Sequence, residues 1–230
     1  MPKRDLIPVI YEDEYLLAVN KPAGIPSVPD PKTKLPRTVM GMAREKFKGG
    51  EFTPYLLHRL DAQTSGLILF GKYAKDRKPL EAIFKAPDTH KKYLAMLKGV
   101  PHGEKLTFPV PARESKILVP AETRFKVIYT FDLFKQVCSI VEAEIRTGRR
   151  HQIRLHFAKI KCPVINDSVY GDLKFNKKFR TTFQFGRLVL HSRSLSFRHP
   201  LTGKSVAVEA PLPPDLQSLM KKIFGRKILF

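Results

Sequence analysis

Apolar residues along this chain fall into short strand-like runs, with a few stretches of helical repeat between them. Val9-Ile10-Tyr11 and Tyr15-Leu16-Leu17-Ala18-Val19 predict two strands around the acidic turn Glu12-Asp13-Glu14. Asn20-Lys21-Pro22-Ala23-Gly24 then stops the second strand, and residues 26–36, rich in Pro and Lys, predict an exposed loop. Residues 38–47 have helical character, with Val39, Met42, Ala43 and Phe47 on one face. The unbroken run Leu67-Ile68-Leu69-Phe70 predicts a buried strand. Residues 76–86 predict a helix capped by Asp76, with Leu80, Ile83 and Phe84 as its inner stripe. Strands follow at 92–97, 125–129 and 137–145, the last placing Val137, Ser139, Val141, Ala143 and Ile145 on one face. Residues 151–161 predict a helix whose Ile153, Phe157 and Ile160 fall at i, i+4 and i+7. Strand-like runs at 188–190, 194–198 and 206–208 precede a final helix opened by Pro213-Pro214-Asp215 and running through Phe224.

The total is strand-rich, with helices in no regular βαβ order. That pattern predicts an α+β fold on a central mixed, mainly antiparallel sheet with flanking helices. No internal repeat or low-complexity tract interrupts it, and no junction demands a boundary. The expectation is therefore a single domain over residues 1–230.

Charge adds a partner class. The 42 Lys and Arg against 21 Asp and Glu give a net charge of +21, and the pI is about 10.1. The first thirty residues hold three Lys/Arg and five Asp/Glu, so the basic surplus lies beyond them. Residues 149–161 carry five Lys/Arg and no acid, and residues 172–198 carry seven against one Asp. A chain this basic attracts a polyanion, and nucleic acid ranks above an anionic membrane because no long basic amphipathic helix stands out. No apolar run reaches the ~18 residues of a membrane span, and the N-terminus does not read as a signal peptide. Cys138 and Cys162 make neither a metal spacing nor a disulfide framework, so a cytoplasmic chain with reduced thiols is expected.

Three residues are candidates for chemistry. Asp61 precedes Thr64-Ser65-Gly66 at a strand end, a rim position where a carboxylate meets a ligand and serves as a nucleophile. The same Asp-x-x-Thr spacing is also an ordinary turn. Arg154 lies about 100° around the helix from Ile153, at the edge of the buried stripe. It either grips a carboxylate through two hydrogen bonds, which would keep Asp61 ionised, or only packs its stem. Tyr93 is either core or, flanked by Lys91, Lys92 and Lys98, an exposed strand end on which a base stacks. His58, His151, His156 and His191 have no metal-ligand spacing, so no metal is expected.

Taken together, these positions sit in recognisable blocks. His58-Arg59-Leu60-Asp61 is followed after two residues by Thr64-Ser65-Gly66 and an apolar strand. Thr147-Gly148-Arg149 leads through Arg150 to His151-Gln152-Ile153-Arg154 and His156. A third pattern runs from Leu190-His191-Ser192 through Leu195, Phe197 and His199-Pro200 to Thr202-Gly203. With the opening Tyr11-Glu12-Asp13 to Gly24 run and Lys92-Tyr93-Leu94-Ala95, the chain resembles the RluA family of RNA pseudouridine synthases over about residues 9–210.

The resemblance implies isomerisation of uridine within RNA, in a central active-site cleft and without a cofactor. Asp61 matches the family's catalytic aspartate, Arg154 the arginine paired with it, and Tyr93 the tyrosine that stacks on the target base. Leu190 matches an apolar residue of the base pocket, and Arg59 an arginine that in some members enters the RNA stack as the uridine leaves. His58, Arg149, His151 and Gln152, within the same blocks, are expected to bind substrate. Arg150 stands where Thr or Ser is frequent, Asn166-Asp167 where Gly-Asp is common, and Cys162 where His is frequent. These departures bear on substrate details and leave Asp61 untouched.

The implied partner is structured RNA, a stem-loop of ribosomal or transfer RNA, acted on by a monomer. The small RNA-binding domain that precedes the catalytic region in many relatives is not expected here. A non-catalytic RNA-binding protein on the same scaffold is the alternative, and retention of both Asp61 and Arg154 speaks against it. A basic structural protein of a ribonucleoprotein particle would leave the pocket residues without a role.

Overall fold

The computed structural model describes residues 7–29, 33–112 and 117–225. In chain order they form β1 (Val9–Glu12), β2 (Leu16–Lys21), α1 (Val39–Lys46), β3 (Tyr55–Leu56), β4 (Ser65–Gly71), α2 (Arg77–Ala82) and β5 (His90–Lys98). Next come β6 (Lys105–Leu106), β7 (Val110–Pro111), β8 (Leu118–Val119), β9 (Thr123–Leu133), β10 (Gln136–Ile145) and α3 (Gln152–Lys159). The chain ends with α4 (Leu173–Phe183), β11 (Leu190–Arg198), β12 (Ser205–Glu209) and α5 (Pro214–Phe224). The α+β class holds. The chain forms two compact units, one of Met1–His90 with Ser192–Pro211, the other of Lys91–His191 with Leu212–Phe230.

In the first unit the strands run in the order β1-β2-β4-β11, with β3 on β4 and β12 on β11. The pairs β1–β2, β2–β4, β3–β4 and β11–β12 are antiparallel. Every residue of β2 and β4 is buried, which is why β4 reads as a continuous apolar run and not as an alternation. In β12 only Val206 and Val208 point inward. The core joins Leu16, Ala18, Leu67 and Leu69 to Leu80, Ile83, Leu195, Phe197, Val206 and Val208.

The helix expected over 76–86 forms in pieces. Its regular part is α2 alone, flanked by single 3-10 turns. Pro79 lacks the N–H that would bond back to residue 75, so the helix starts anew at Arg77. Asp76 occupies the cap position without a capping hydrogen bond, contrary to expectation. The inner stripe is as expected, with Leu80 and Ile83 buried and Phe84 partly so.

In the second unit the order is β5-β10-β9-β6, and each of these pairs is antiparallel. Phe134 and Lys135 link β9 to β10 with φ of 55° and 63°, the left-handed pair of a two-residue hairpin turn. A bulge opposite Ile140 and Val141 leaves Ile128 as the extra residue. Both faces of mid-β10 are covered, since Cys138, Ser139, Ile140 and Val141 are all buried. Val137, on the same period-two face as Ser139 and Val141, is 52% exposed, while Cys138 and Ile140 of the other face enter the core.

α4 is a helix that the pattern reading left out. Phe175, Phe179 and Phe183 recur every fourth residue, and Asp172 caps its start by accepting from the Phe175 N–H at 2.9 Å. With Leu216, Leu219 and Met220 of α5, Phe175 and Phe179 cover Leu94 and Met96 of β5.

Candidate functional site

Asp61 sits half-buried in the loop between β3 and β4, and its backbone neighbours are fixed on both sides. Before it, Ser27 Oγ donates to Leu60 O at 2.8 Å and accepts from Leu60 N at 3.1 Å. After it, Ala62 O accepts from Gly24 N at 2.7 Å and from Lys21 Nζ at 2.9 Å. Asp61's own carbonyl accepts from Thr64 N at 3.1 Å, closing the turn. Lys21 is fully buried, and its Nζ also donates to Pro22 O and Ile25 O, each at 2.8 Å. Three acceptors use all three protons of an ammonium, so Lys21 is charged. A buried cation thus holds two stretches of loop around the carboxylate's backbone.

The strand leaving this turn is held closely. Gly66 has φ +113°, and a Cβ there would lie 2.1 Å from Ser192 O. Only glycine provides both the dihedral and the close approach. His58 is half-buried; its Nε2 accepts the Leu69 N–H at 2.9 Å, and its ring stands 4.6 Å from that of Phe84. Arg59, between His58 and Leu60, is exposed.

In the second unit, Arg154 on α3 is buried and, of the two forms open to it from sequence, takes the bidentate one, with Asp167 as the acceptor. Its Nε and Nη2 donate to the Asp167 carboxylate at 2.7 and 2.9 Å. Asp167 also accepts from the Val169 and Tyr170 N–H groups, at 2.9 and 3.0 Å. Burial pushes the Asp167 carboxyl up, but the Arg154 hydrogen bond and the two backbone donors outweigh it and leave its pKa below the ordinary value. Tyr170 lies over the guanidinium at 5.2 Å, and its hydroxyl is 3.0 Å from His151 Nδ1. His151 holds φ 55° at the start of α3. Arg154 is therefore fixed in direction by a carboxylate, a ring and a helix.

Gln152 is 2% exposed and spent inside the protein. Its Oε1 accepts from Thr147 Oγ1 and Arg149 N, and its Nε2 donates to Glu122 O and Thr123 Oγ1. All four of its hydrogen-bonding positions are filled, and they lock the 147–152 loop to the start of β9. The Arg149 side chain is exposed. Tyr93, on β5 opposite Ala143, is 8% exposed, and Leu190 at the start of β11 is buried.

Within the second unit the structure brings together His151 and Arg154. Within the first, His58, Arg59 and Asp61 share one loop. Lys21, Ser27, Asp167 and Tyr170 were not picked out as site residues. Lys21 carries a signal, a lysine ending an apolar strand, and Asp167 shows in the sequence only as part of a departure from a family pattern.

A family model described as RNA pseudouridylate synthase matches residues 15–159. The tRNA pseudouridine synthase C of Salmonella typhimurium (strain LT2) is 32% identical, over 97% of this chain and 92% of its own length. The ribosomal large subunit pseudouridine synthase D of Zymomonas mobilis is 31% identical, over 94% of this chain and 72% of its own. Among solved structures, human RNA pseudouridylate synthase domain containing 4 superposes with a TM-score of 0.74 at 20% identity, covering 94% of this chain and 92% of that one. That likeness concerns the fold.

Proposed function

Because the chain belongs to the RNA pseudouridylate synthase family and is therefore an isomerase, we propose that it converts particular uridines of transfer or ribosomal RNA to pseudouridine, with Asp61 as the reacting carboxylate. The observation that carries the reading is the Asp61 turn. Its backbone is fixed on both sides by Ser27, Gly24 and a buried Lys21, while the residue itself stays half-buried. A turn built only to reverse the chain needs no buried ammonium.

The reaction breaks the N1–C1′ bond, turns the uracil and forms C5–C1′. C5 loses its hydrogen and N1 gains one, so substrate and product are isomers and no oxidant or reductant takes part. A carboxylate serves attack at C1′, attack at C6 or assisted elimination. Arg154 is assigned the cation that keeps the reacting carboxylate ionised. Tyr93 is assigned the face on which the base stacks, Leu190 the apolar pocket wall, and Arg59 the side chain that fills the space left by the flipped uridine. Flipping costs roughly a few kcal/mol, least in loops, so a stem-loop is the preferred substrate. The enzyme acts as a monomer in the cytoplasm. No helix among the described residues is long and apolar enough to cross a membrane.

The test is tritium release from RNA labelled at uridine C5, with purified protein and its Asp61→Asn variant. Wild type should release tritium in step with pseudouridine. The variant should be inactive, with RNA affinity changed less than tenfold. Turnover by Asp61→Asn above a few per cent of wild type refutes the assignment. RNA binding without turnover by wild type would favour the non-catalytic alternative.

A further inference from the structure

The loop that holds Arg154 continues into a rigid, exposed corner that the proposed chemistry does not use. Asp167 binds the Val169 and Tyr170 N–H groups with its carboxylate, and its own carbonyl accepts from Asn176 Nδ2 at 2.9 Å. Asn176, buried on α4, also accepts from Asn166 N at 2.8 Å. Gly171 passes so close that a Cβ there would lie 2.3 Å from Asp167 O. Asp172 caps α4 and pairs with Lys98 at 2.6 Å. Residues 166–172 and the first turns of α4 are thus one hydrogen-bonded piece, rooted on Arg154.

Two large apolar side chains stand out from this frame, Val169 at 62% and Leu173 at 64% exposure. One exposed aliphatic residue is ordinary; two on a frame this tightly tied are less so. Lys174 and Lys177, both exposed, follow at once on α4 and have no acidic partner among the described residues. Residues 173–187 contain five Lys/Arg and no Asp or Glu.

We propose that this corner docks the RNA strand next to the target uridine. Lys174 and Lys177 take phosphates, and Val169 and Leu173 meet the faces of unpaired nucleotides. Free cations beside apolar side chains match a strand whose phosphates are anionic and whose bases have left the stack. A partner protein with an apolar patch would leave the lysines unanswered. The inference rests on the pseudouridine synthase reading and adds where the flanking nucleotides lie. Because Asp167 ties the corner to Arg154, RNA held there is in fixed register with that arginine.

The test compares two double variants, Val169→Ser with Leu173→Ser, and Lys174→Gln with Lys177→Gln. All four side chains are exposed, so melting temperatures should match wild type, and circular dichroism checks this. The probes are bulk transfer RNA and a transcribed stem-loop, bound at several salt concentrations. The lysine pair should weaken binding at least tenfold and flatten the log Kd against log salt slope by about 1.4, two single-strand phosphates' worth. The apolar pair should weaken binding several-fold with the slope unchanged. Unaltered Kd and slope in both variants overturn the proposal, as does loss of binding to phosphatidylserine vesicles with RNA binding intact.

Failure of the two readings is distinguishable. Binding that depends on the corner, without tritium release by wild type, keeps the docking surface and removes the enzymatic reading. Tritium release by wild type, with both variants equally active at sub-saturating RNA, does the reverse.

Discussion

Replacing Lys21 by Met is the sharpest probe of how the Asp61 turn is held. Methionine has nearly the same length and fills the same buried space, so the change removes the ammonium with little loss of volume. Three hydrogen bonds disappear, to Pro22 O, Ile25 O and Ala62 O. Ala62 O keeps Gly24 N, so that carbonyl loses only its second donor. Each carbonyl left unpaired in the interior costs about 1–3 kcal/mol. Against this stands the release of a buried charge, whose desolvation is itself unfavourable. The balance is a loss of about 2–5 kcal/mol. For a chain of this size that lowers Tm by roughly 2–4 °C per kcal/mol, so by about 5–20 °C. Calorimetry reads the total, and amide exchange reads the place, since protection of the Gly24 and Thr64 N–H groups should fall before that of β4. Turnover should fall by at least tenfold in protein that is still folded at the assay temperature. A Tm within 2 °C of wild type with unchanged exchange at Gly24 and Thr64 would show that Lys21 does not hold the turn.

Other substitutions test the second unit and the strand after the turn. Arg154→Lys should be nearly as inactive as Arg154→Ala, because one ammonium does not span both Asp167 oxygens; near-normal tritium release by the Lys variant would show that only a positive charge is needed. Asp167→Asn should cost up to about 3–5 kcal/mol by removing the negative charge to which two nitrogens of buried Arg154 bond. The folded pKa of Asp167 lies below its ordinary 3.8, so the pair's stabilisation is complete above that value and fades as pH falls below it. The Tm gap between wild type and Asp167→Asn should hold from pH 8 to about 5 and close below about 4; a gap that does not narrow refutes the linkage. Gly66→Ala combines a positive φ with a 2.1 Å clash against Ser192 O, and should lose about 2–5 kcal/mol in denaturant titration; a loss under 1 kcal/mol would mean that β4 shifts freely.

The sequence showed the strands whose apolar positions formed runs, and it missed what depended on partners distant in the chain. β2 and β4 were visible because both their faces are buried. α4 escaped because Lys174, Lys177 and Lys178 on its outer face read as charge excess, although Phe175, Phe179 and Phe183 mark its inner stripe. Period two put Val137 on one face with Ser139 and Val141 but did not say which side is covered; mid-β10 is covered on both, and Val137 lies outside that stretch. At the site, a two-bond grip on a carboxylate was one of two readings open for Arg154, and Asp167 as the acceptor was not foreseen. A pair thirteen residues apart has no local periodicity. Lys21 lay in plain view as a charged residue at a strand end; only its three carbonyl acceptors show that it is interior.

The division of the chain has a consequence for how the protein is made. The core of the first unit draws Leu16, Leu67, Leu69 and Leu80 from its first segment and Leu195, Phe197, Val206 and Val208 from its second. About 120 residues separate the end of one segment from the end of the other. At ribosomal speeds of 5–20 residues per second, the nascent first segment waits roughly 6–24 s for the strands that complete it. Through that interval β2 and β4 lack the β11–β12 cover that later closes the unit, and a sheet edge as apolar as Leu67-Ile68-Leu69-Phe70 is open to other chains. Yield in the cell should therefore depend on translation rate and on chaperones that shield extended apolar segments, more than on the stability of the finished fold. For the same reason, a fragment ending at His90 should aggregate where the full chain does not.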